Sequence, residues 1–257
     1  MLKSHVIVYN TTIDLMKTVQ FNIEKESLKI SSFLRTTFHK QRVSNAVIGI
    51  SGGVDSMTSY YLLKKALPEK NIFPVHLPYG KPAPFVQKNI PVIPIKKPVD
   101  AIKKALRVNN HVRLGNIMAR VRMIILYDLA KKHNALVCGT ENKSEQLLGY
   151  FTRFGDSASD IEPIQHLYKT QVKHLSKYLG VPKQIIDQYP TAGLWEGQTD
   201  EGEFGFTYEE ADQVLYLYFE KKYSLQKLEA HYKNTKKIIQ FAKHNNFKHL
   251  TPYILSK

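Results

Sequence analysis

The stretch at residues 47–56, Val-Ile-Gly-Ile-Ser-Gly-Gly-Val-Asp-Ser, decides the fold of this 257-residue chain. It completes an apolar run with strand character, residues 43–50, and then turns on two adjacent glycines. Helical patterning follows over residues 56–66, and a second strand-like run covers residues 72–77. A strand, a helix and a second strand in this order predict a βαβ unit.

The same alternation continues on both sides of this unit. A short apolar run at residues 91–95 predicts a third strand, and residues 135–138 predict a fourth. Helical periodicity covers residues 100–107 and 116–132, and an amphipathic segment at residues 13–40 comes before the first strand. Strands that alternate with helices predict an α/β fold, with a parallel sheet and helices on both of its faces.

The pattern changes in the second half of the chain. Residues 149–163 form a loop rich in Gly, Asp and Ser, and a second irregular stretch covers residues 188–206. Between these two loops we expect a helix with one apolar stripe, which ends at Gly180. Thr207 and Glu210 have the spacing of a capping box for the helix that follows.

The composition is that of a globular protein. Apolar residues make up 43% of the chain and charged residues 23%, so we expect one domain over residues 1–257. No apolar run approaches the ~20 residues that span a bilayer, and no signal-peptide pattern is present, which predicts a cytoplasmic protein without membrane attachment. Cys138 is the only cysteine, so no internal disulfide is expected, and Cys138 itself is expected to be a buried strand residue.

The net charge of +15 is the one unusual bulk property. It favours anionic partners such as nucleic acid, a membrane surface or phosphorylated small molecules, or it reflects a solvated basic surface. The lysines are spread along the chain and do not form one basic arm, which argues against nucleic acid as the partner.

Residues 51–56 combine groups that bind phosphate. Two glycines let the backbone turn tightly, and serine hydroxyls with free N–H groups at the start of a helix form a cradle for an anion. The carboxylate of Asp55 would repel phosphate in this cradle unless a divalent cation lay between them, so it predicts Mg²⁺. The alternative is a plain glycine turn in which Ser56 caps the helix. The Lys and the longer glycine spacing of a Walker A loop are absent.

This loop resembles the pyrophosphate loop of the N-type ATP pyrophosphatases, which cleave ATP between the α- and β-phosphates to adenylate a substrate. Residues 115–123, 139–145 and 149–156 resemble the signatures of one family in this group, the NAD synthetases, and they stand in the expected order. The resemblance continues through Asp160, residues 167–170 and residues 190–192. It implies a Rossmann-like, doubly wound sheet of the adenine nucleotide alpha hydrolase type. It also implies amidation of deamido-NAD through a nicotinate acyl-adenylate, with release of AMP and pyrophosphate.

Carried over residue by residue, the resemblance implies roles for most polar residues of these segments. The ligands of Mg²⁺ would be Asp55 and Glu145, and the catalytic residues would be Asp55, Asp156 and Lys169. The residues that contact ATP would be Gly49, Ile50, Ser51, Gly52, Gly53, Val54, Asp55, Ser56, Thr140, Lys169 and Thr191. The residues that contact deamido-NAD would be Arg120, Arg153, Asp160 and Lys248.

Each of these assignments has a simpler alternative when it is taken alone. Arg120, on a long helix, could be solvated or paired with Asp128. Asp156 and Asp160 could be turn formers, and Glu145 could be a first-turn acid favoured by the helix dipole. Their occurrence together, in the order of the family, is what favours the functional interpretation.

The C-terminus departs from the family pattern. NAD synthetases usually have a His-Lys pair followed by Arg there, whereas residues 247–249 read Phe-Lys-His, so only Lys248 carries over. Either this segment still closes over deamido-NAD, or it no longer reaches the site. The length of the chain and the strand context of Cys138 leave no room for a glutamine amidase domain, so free ammonia is the expected nitrogen donor.

Two other functions stay open at this point: a tRNA-modifying ATP pyrophosphatase, and a catalytically inactive nucleotide-binding protein. The resemblance also implies a homodimer. In support of a dimer, the helix at residues 116–132 has Met118, Ile125 and Tyr127 off its main apolar stripe, which suggests spare apolar surface. The alternative is a helix buried in the core of a larger monomer.

Overall fold

A computed structural model describes residues 21–84, 86–87, 89–191, 197–250 and 252–255 of the chain. Three parallel strands form one sheet in the order β2-β1-β3. The strands are β1 (Asn45–Gly49), β2 (Ile72–Val75) and β3 (Ala135–Cys138). In the central strand, Val47 pairs with Phe73 on one side and with Val137 on the other. The predicted βαβ unit and the parallel sheet are confirmed.

Most of the remaining described residues are helical. The α-helices are α1 (Ile23–Lys40), α2 (Val54–Ala66), α3 (Lys96–Ala105), α4 (His111–His133), α5 (Lys143–Leu148), α6 (Lys169–Tyr178), α7 (Lys183–Ile186), α8 (Asp200–Phe204), α9 (Tyr208–Leu215), α10 (Leu225–Glu229) and α11 (Thr235–Asn245). A π-helical turn covers Tyr216–Glu220, and short 3-10 turns cover Glu69–Asn71 and Asn246–Lys248.

Helices cover both faces of the sheet, as the alternation of strands and helices predicts. Ala46 and Ile48 of β1 pack into a core with α1, α2 and α6, whereas Val47 packs on the opposite face with Val137 and residues of α4. All three β1 residues are fully buried. A strand covered on both sides needs apolar residues at every position, which explains why the sequence of β1 is continuously apolar and does not alternate.

The predicted strand at residues 91–95 is wrong. It is reduced to a single parallel bridge between His76 and Val92, with hydrogen bonds on each side of His76. Pro91 and Pro94 have no N–H groups, so the segment lacks the donors that a regular ladder requires. A similar bridge joins Ile161 to Cys138 at the other edge of the sheet.

Several helix ends differ from the sequence prediction. Helix α3 begins at Lys96, before the predicted residue 100. Pro98 is favourable in its first turn, because proline has no N–H group and the N–H groups of a first turn have no partner within the helix. Helix α4 begins at His111, since the Asn110 side chain accepts a hydrogen bond from the N–H of Arg113 (3.0 Å). Of the predicted amphipathic segment, residues 13–20 lie outside the described residues.

The capping box predicted at Thr207 is half correct. The Thr207 hydroxyl accepts a hydrogen bond from the N–H of Glu210 (3.2 Å), as expected. The Glu210 carboxylate does not return to Thr207 and instead accepts hydrogen bonds from the backbone and side-chain nitrogens of Asn234 (2.7 and 2.6 Å). Glu210 therefore joins the start of α9 to the segment before α11.

The apolar surface predicted on the long helix lies at other positions. Met118 is fully buried, and Ile125 and Tyr127 pack partly buried against the core. The prediction that these three residues form spare surface is wrong, because α4 packs against α3 as well as against the sheet. The exposed apolar side chains of α4 are Val112 and Ile124, at 57% and 60% exposure.

The C-terminal helices form a second apolar cluster beside the sheet. Phe204, Tyr208 and Phe241 pack together in it, and Leu148 of α5 joins it to the rest of the molecule. Within the described residues, no helix combines the length and apolar character needed to cross a membrane.

Candidate active site

The carboxyl edge of the sheet gathers the segments that the sequence singled out. The glycine loop follows β1, and residues 139–145 follow β3. The strands are parallel, so these two segments leave the sheet at the same edge, where ligands of open α/β sheets commonly bind. The start of α6 also lies at this edge, where the N–H of Lys169 donates a hydrogen bond to Ser144 of α5.

The glycine loop is held by its own serines. Ser56 Oγ lies 3.0 Å from Ser51 Oγ and donates to the carbonyl of Gly53, while Ser51 Oγ accepts from the N–H of Gly53 (3.2 Å). Gly52 has a φ of 93°, and a Cβ there would lie 2.9 Å from Cβ of Ala83. Ser56 therefore shapes the turn, and Gly52 is required both by its backbone conformation and by the lack of space.

A buried lysine joins the two carboxylates predicted as metal ligands. Lys169 Nζ lies 2.5 Å from Asp55 Oδ2 and 3.0 Å from Glu145 Oε1. Its side chain is only 3% exposed, and the Tyr208 ring lies beside the amine. Asn142 donates to the second oxygen of Asp55 (3.1 Å). The predicted residues Asp55, Glu145 and Lys169 thus form one cluster.

Each member of this cluster lies in the first turn of a helix. Asp55 lies at the start of α2, Glu145 is the third residue of α5, and Lys169 is the first residue of α6. Glu145 also forms a capping box with Asn142, so its interpretation as a first-turn acid and its place in the cluster are both correct. Helix N-termini stabilise negative charge, so Lys169 would be unfavourable there without the two acids.

The charged groups of this cluster change one another's pKa values. Burial by itself lowers the pKa of the Lys169 amine, but the carboxylates of Asp55 and Glu145 reverse this and raise it above its ordinary value. Burial raises the pKa of Glu145 to about 8; Lys169 opposes this rise and Asp55 adds to it. The amine is therefore held in its charged form, which suits it to neutralise phosphate charge.

Sequence reasoning missed the residues that hold Lys169 in place. The Ser144 hydroxyl accepts a hydrogen bond from the N–H of Lys169 (2.9 Å) and donates to Asp212. Asp212 also accepts from the N–H and the hydroxyl of Thr170 (2.9 and 2.8 Å). The sequence did contain a signal for Asp212, because it is an acidic residue on the apolar face of α9. Ala211 and Leu215 on that face are fully buried.

A second group surrounds the loop at residues 149–156. Lys248 Nζ donates to the carbonyls of Gly149 (2.6 Å) and Phe151 (3.0 Å). Arg153 lies over the ring of Phe247, and its carbonyl accepts from Arg120 (3.3 Å). The C-terminal segment therefore contacts this loop, and three of the predicted deamido-NAD residues, Arg120, Arg153 and Lys248, are brought together.

The remaining predicted residues have different positions. Asp156 accepts a hydrogen bond from the N–H of Thr152 (2.8 Å). It therefore stabilises a turn, which agrees with the alternative interpretation of Asp156 as a turn former. Asp160 accepts from the N–H of Val137 (2.7 Å) and ties the loop to β3. Thr140 directly follows the β3 edge, and Thr191 immediately precedes residues outside the described part of the chain. Their contacts with ATP and substrate stay predictions.

Cys138 is a buried strand residue, 2% exposed, as predicted. Two glutamates near it, the buried Glu141 and the half-buried Glu162, were not predicted from the sequence. Glu141 follows β3 and is joined to Glu162 by a hydrogen bond, and the carboxylates of Glu145 and Asp156 both act on it.

Known proteins match the chain over most of its length. The family model for NAD synthase matches residues 26–252. An NH₃-dependent NAD⁺ synthetase of Fusobacterium nucleatum is 42% identical over 224 residues, which cover 83% of this chain and 87% of the relative.

Two solved structures share the architecture. An NH₃-dependent NAD synthetase from Campylobacter jejuni, solved in complex with the nitrate ion, has a TM-score of 0.75 and 30% identity, over 92% of this chain and 100% of the other. An NMN synthetase from Francisella tularensis has a TM-score of 0.75 and 33% identity, over 92% and 99% of the two chains. These similarities confirm the Rossmann-like fold of the adenine nucleotide alpha hydrolase type.

Proposed function

Because this chain belongs to the NAD synthase family, we propose that the cluster of Asp55, Glu145 and Lys169 is the centre at which it activates its substrate with ATP. The enzyme is a ligase that forms a C–N bond: it amidates deamido-NAD with free ammonia in an ATP-dependent reaction, the final step of NAD biosynthesis. The observation that supports the location of the centre is a buried, charged amine beside a glycine turn at the carboxyl edge of the sheet.

In the proposed first step, the nicotinate carboxylate attacks the α-phosphorus of ATP, and pyrophosphate leaves with the bonding electron pair. Lys169 and the N–H groups at the start of α2 offset the charge that develops on the phosphates. In the second step, ammonia attacks the acyl carbon and AMP leaves. In this proposal Arg120 and Arg153, which meet at the loop of residues 149–156, bind the anionic groups of deamido-NAD.

Asp55 and Glu145 fit a magnesium ion that also binds substrate phosphates. Mg²⁺ is usually held by one or two protein carboxylates, phosphate oxygens and water. Within the described residues, no group of three or more His, Cys, Asp or Glu side chains is placed to hold a metal alone, so these two acids would share the ion with ATP. Bound there, Mg²⁺ would neutralise charge on the departing pyrophosphate.

The function is tested by incubating the protein with ATP, deamido-NAD and ammonium, and by following NAD, AMP and pyrophosphate. We expect the three products in equal amounts and no turnover without a divalent cation. Formation of ADP in place of AMP would contradict the adenylate route.

A second candidate substrate is nicotinate mononucleotide, because one of the similar solved structures is an NMN synthetase. The same assay decides between the two substrates when each is supplied at equal concentration. We expect a higher kcat/KM for deamido-NAD, since the curated relative with 42% identity is an NAD⁺ synthetase.

Lys248 is predicted to support deamido-NAD binding by holding the loop that contains Arg153. Lys248→Ala removes both hydrogen bonds to that loop, so it should raise the KM for deamido-NAD about 5- to 150-fold, equivalent to ~1–3 kcal/mol. The KM for ATP should change much less. Lys243→Ala is the control, because Lys243 lies over the Tyr218 ring. Equal KM values in wild type and Lys248→Ala would show that the C-terminal segment has no role in substrate binding.

We also propose a homodimer whose interface includes the exposed apolar residues of α4. Val112 and Ile124 lie on that helix with more than half of their surface exposed. Ile124→Asp should weaken association by roughly tenfold or more, because it buries a charge in the interface. Sedimentation velocity at micromolar concentration measures this, with Leu28→Asp on α1 as the control. A wild-type protein that sediments only as a monomer would exclude the dimer.

The single domain over residues 1–257, the cytoplasmic location and the absence of a nucleic-acid partner stay predictions from the sequence. We place ATP, deamido-NAD and ammonia as the partners of the site. The positive charge of the chain is consistent with these anionic nucleotides.

A further inference from the structure

Glu141 ends in a buried carboxylate with one oxygen unpaired. Glu141 is 9% exposed, and its Oε1 atom has no hydrogen-bond partner among the described residues. The other oxygen, Oε2, accepts from Gln165 Nε2 (3.2 Å). A buried polar atom of this kind costs free energy unless a ligand satisfies it.

Glu162 places a second carboxylate against the same segment. Its Oε2 accepts from the N–H of Glu141 (3.1 Å), and its Oε1 accepts from Ser159 Oγ (2.7 Å). The space next to Gly139 is filled by this carboxylate, since a Cβ on Gly139 would lie 1.8 Å from Glu162 Oε1. Glu162 therefore fixes residues 139–141, which include Thr140 and Glu141, at the edge of the sheet.

The charged groups that act most strongly on Glu141 are negative. Burial, together with the nearby carboxylates of Glu162, Glu145 and Asp156, raises its pKa to about 8. Burial also raises the pKa of Glu162 to about 7. No salt bridge to Glu141 or Glu162 is formed within the described residues. Two adjacent carboxylates, one buried and one half-buried, need a proton or a bound cation. Glu145 and Asp156 both act on Glu141, so it lies near the lysine cluster and near the loop at residues 149–156.

We propose that Glu141, supported by Glu162, binds the ammonium ion and takes its proton before the nitrogen attacks the acyl-adenylate. This inference rests on the proposed function. Ammonium is a small cation with four N–H donors, so it satisfies the unpaired Oε1 and the charge of the site together.

The proton and electron balance of the step is complete. Ammonium transfers one proton to the Glu141 carboxylate, and the lone pair of the resulting ammonia forms the C–N bond. The C–O bond to AMP breaks, and AMP leaves with the electron pair. The nitrogen then releases one further proton to solvent, which leaves the neutral amide, and Glu141 later returns its own proton to solvent.

Glu141→Gln tests the proposal, because glutamine keeps the shape of the side chain and removes the acceptor of the proton. We expect the KM for ammonium to rise about tenfold, while the KM values for ATP and deamido-NAD stay within about twofold. Hydroxylamine, a neutral nucleophile near pH 8, should react with both proteins at similar rates, since it needs neither a cation site nor deprotonation. Glu162→Gln should raise the KM for ammonium in the same direction.

Glu69→Gln, which changes an exposed acid paired with Lys64, is the control and should leave all KM values unchanged. An unchanged KM for ammonium in Glu141→Gln would overturn the proposal, as would an equal loss of rate with hydroxylamine. The wild type separates this inference from the function: if it makes no NAD, the proposed function fails, whereas an active wild type with an unaffected Glu141→Gln refutes only the ammonium site.

Discussion

Replacing Lys169 with methionine is expected to lower the free energy of unfolding by about 3–5 kcal/mol near pH 8 and to abolish NAD formation. The change removes the amine that pairs with Asp55 and Glu145 and leaves both acids close together and without a counter-ion. For a chain of this size the loss corresponds to roughly 6–20 °C in Tm. Thermal unfolding and the NAD assay measure the two effects independently.

The destabilisation in Lys169→Met should depend on pH. The folded-state pKa of Glu145 is raised, to about 8, above its ordinary value of 4.5, so protonation of Glu145 stabilises the folded protein. This contribution is fully present below about pH 4.5 and is lost as the pH rises through 8. Without Lys169, which opposes the rise, the loss is larger. The difference in stability between variant and wild type should therefore be smallest near pH 5 and largest above pH 8.

Lys173→Met is the matched control, because it lies one turn later on α6 and forms only a surface pair with Glu209 (3.5 Å). It should change stability by less than about 1 kcal/mol and leave activity intact. If Lys169→Met were as stable as wild type at every pH, the buried ion pairs would have no structural role.

Replacing Asp55 with asparagine is expected to lower kcat by at least about 10²–10³-fold while the fold is kept. Asparagine preserves the shape of the side chain, and Lys169 keeps its contact with Glu145, so a stability loss of only about 1–2 kcal/mol is expected. The missing charge removes one of the two carboxylates proposed to hold Mg²⁺. The Mg²⁺ concentration for half-maximal activity should therefore rise more than the KM for deamido-NAD.

Asp128→Asn on α4 is the control, since Asp128 is exposed and distant in sequence from the glycine loop. Kinetics at several Mg²⁺ concentrations, together with thermal unfolding, provide the measurement. Retention of full magnesium-dependent turnover in Asp55→Asn would assign Asp55 to a structural role in the turn.

Local sequence determined the elements around the glycine loop. The apolar run of β1, the two glycines and the following helix each depend on neighbouring residues, so the βαβ unit was predictable. The end of α6 at Tyr178, two residues before the predicted stop at Gly180, was also predictable, because helix stop signals are local. The order of several short motifs identified the family, and with it the reaction, although no single residue did so.

Only the tertiary structure decided which of these residues meet. Asp55 and Lys169 are 114 positions apart. They form a pair because Asp55 follows β1, while Ser144, in the helix after β3, holds the start of α6 at the same edge of the sheet. The support from Asp212, the role of Lys248 at the loop of residues 149–156 and the buried Glu141 depend on packing between distant helices and loops. The burial of Met118 depends on how β2 and α3 together cover α4. Periodicity reports which side of a helix is apolar, but the partner surface determines how much of that side is buried and which charges come within reach.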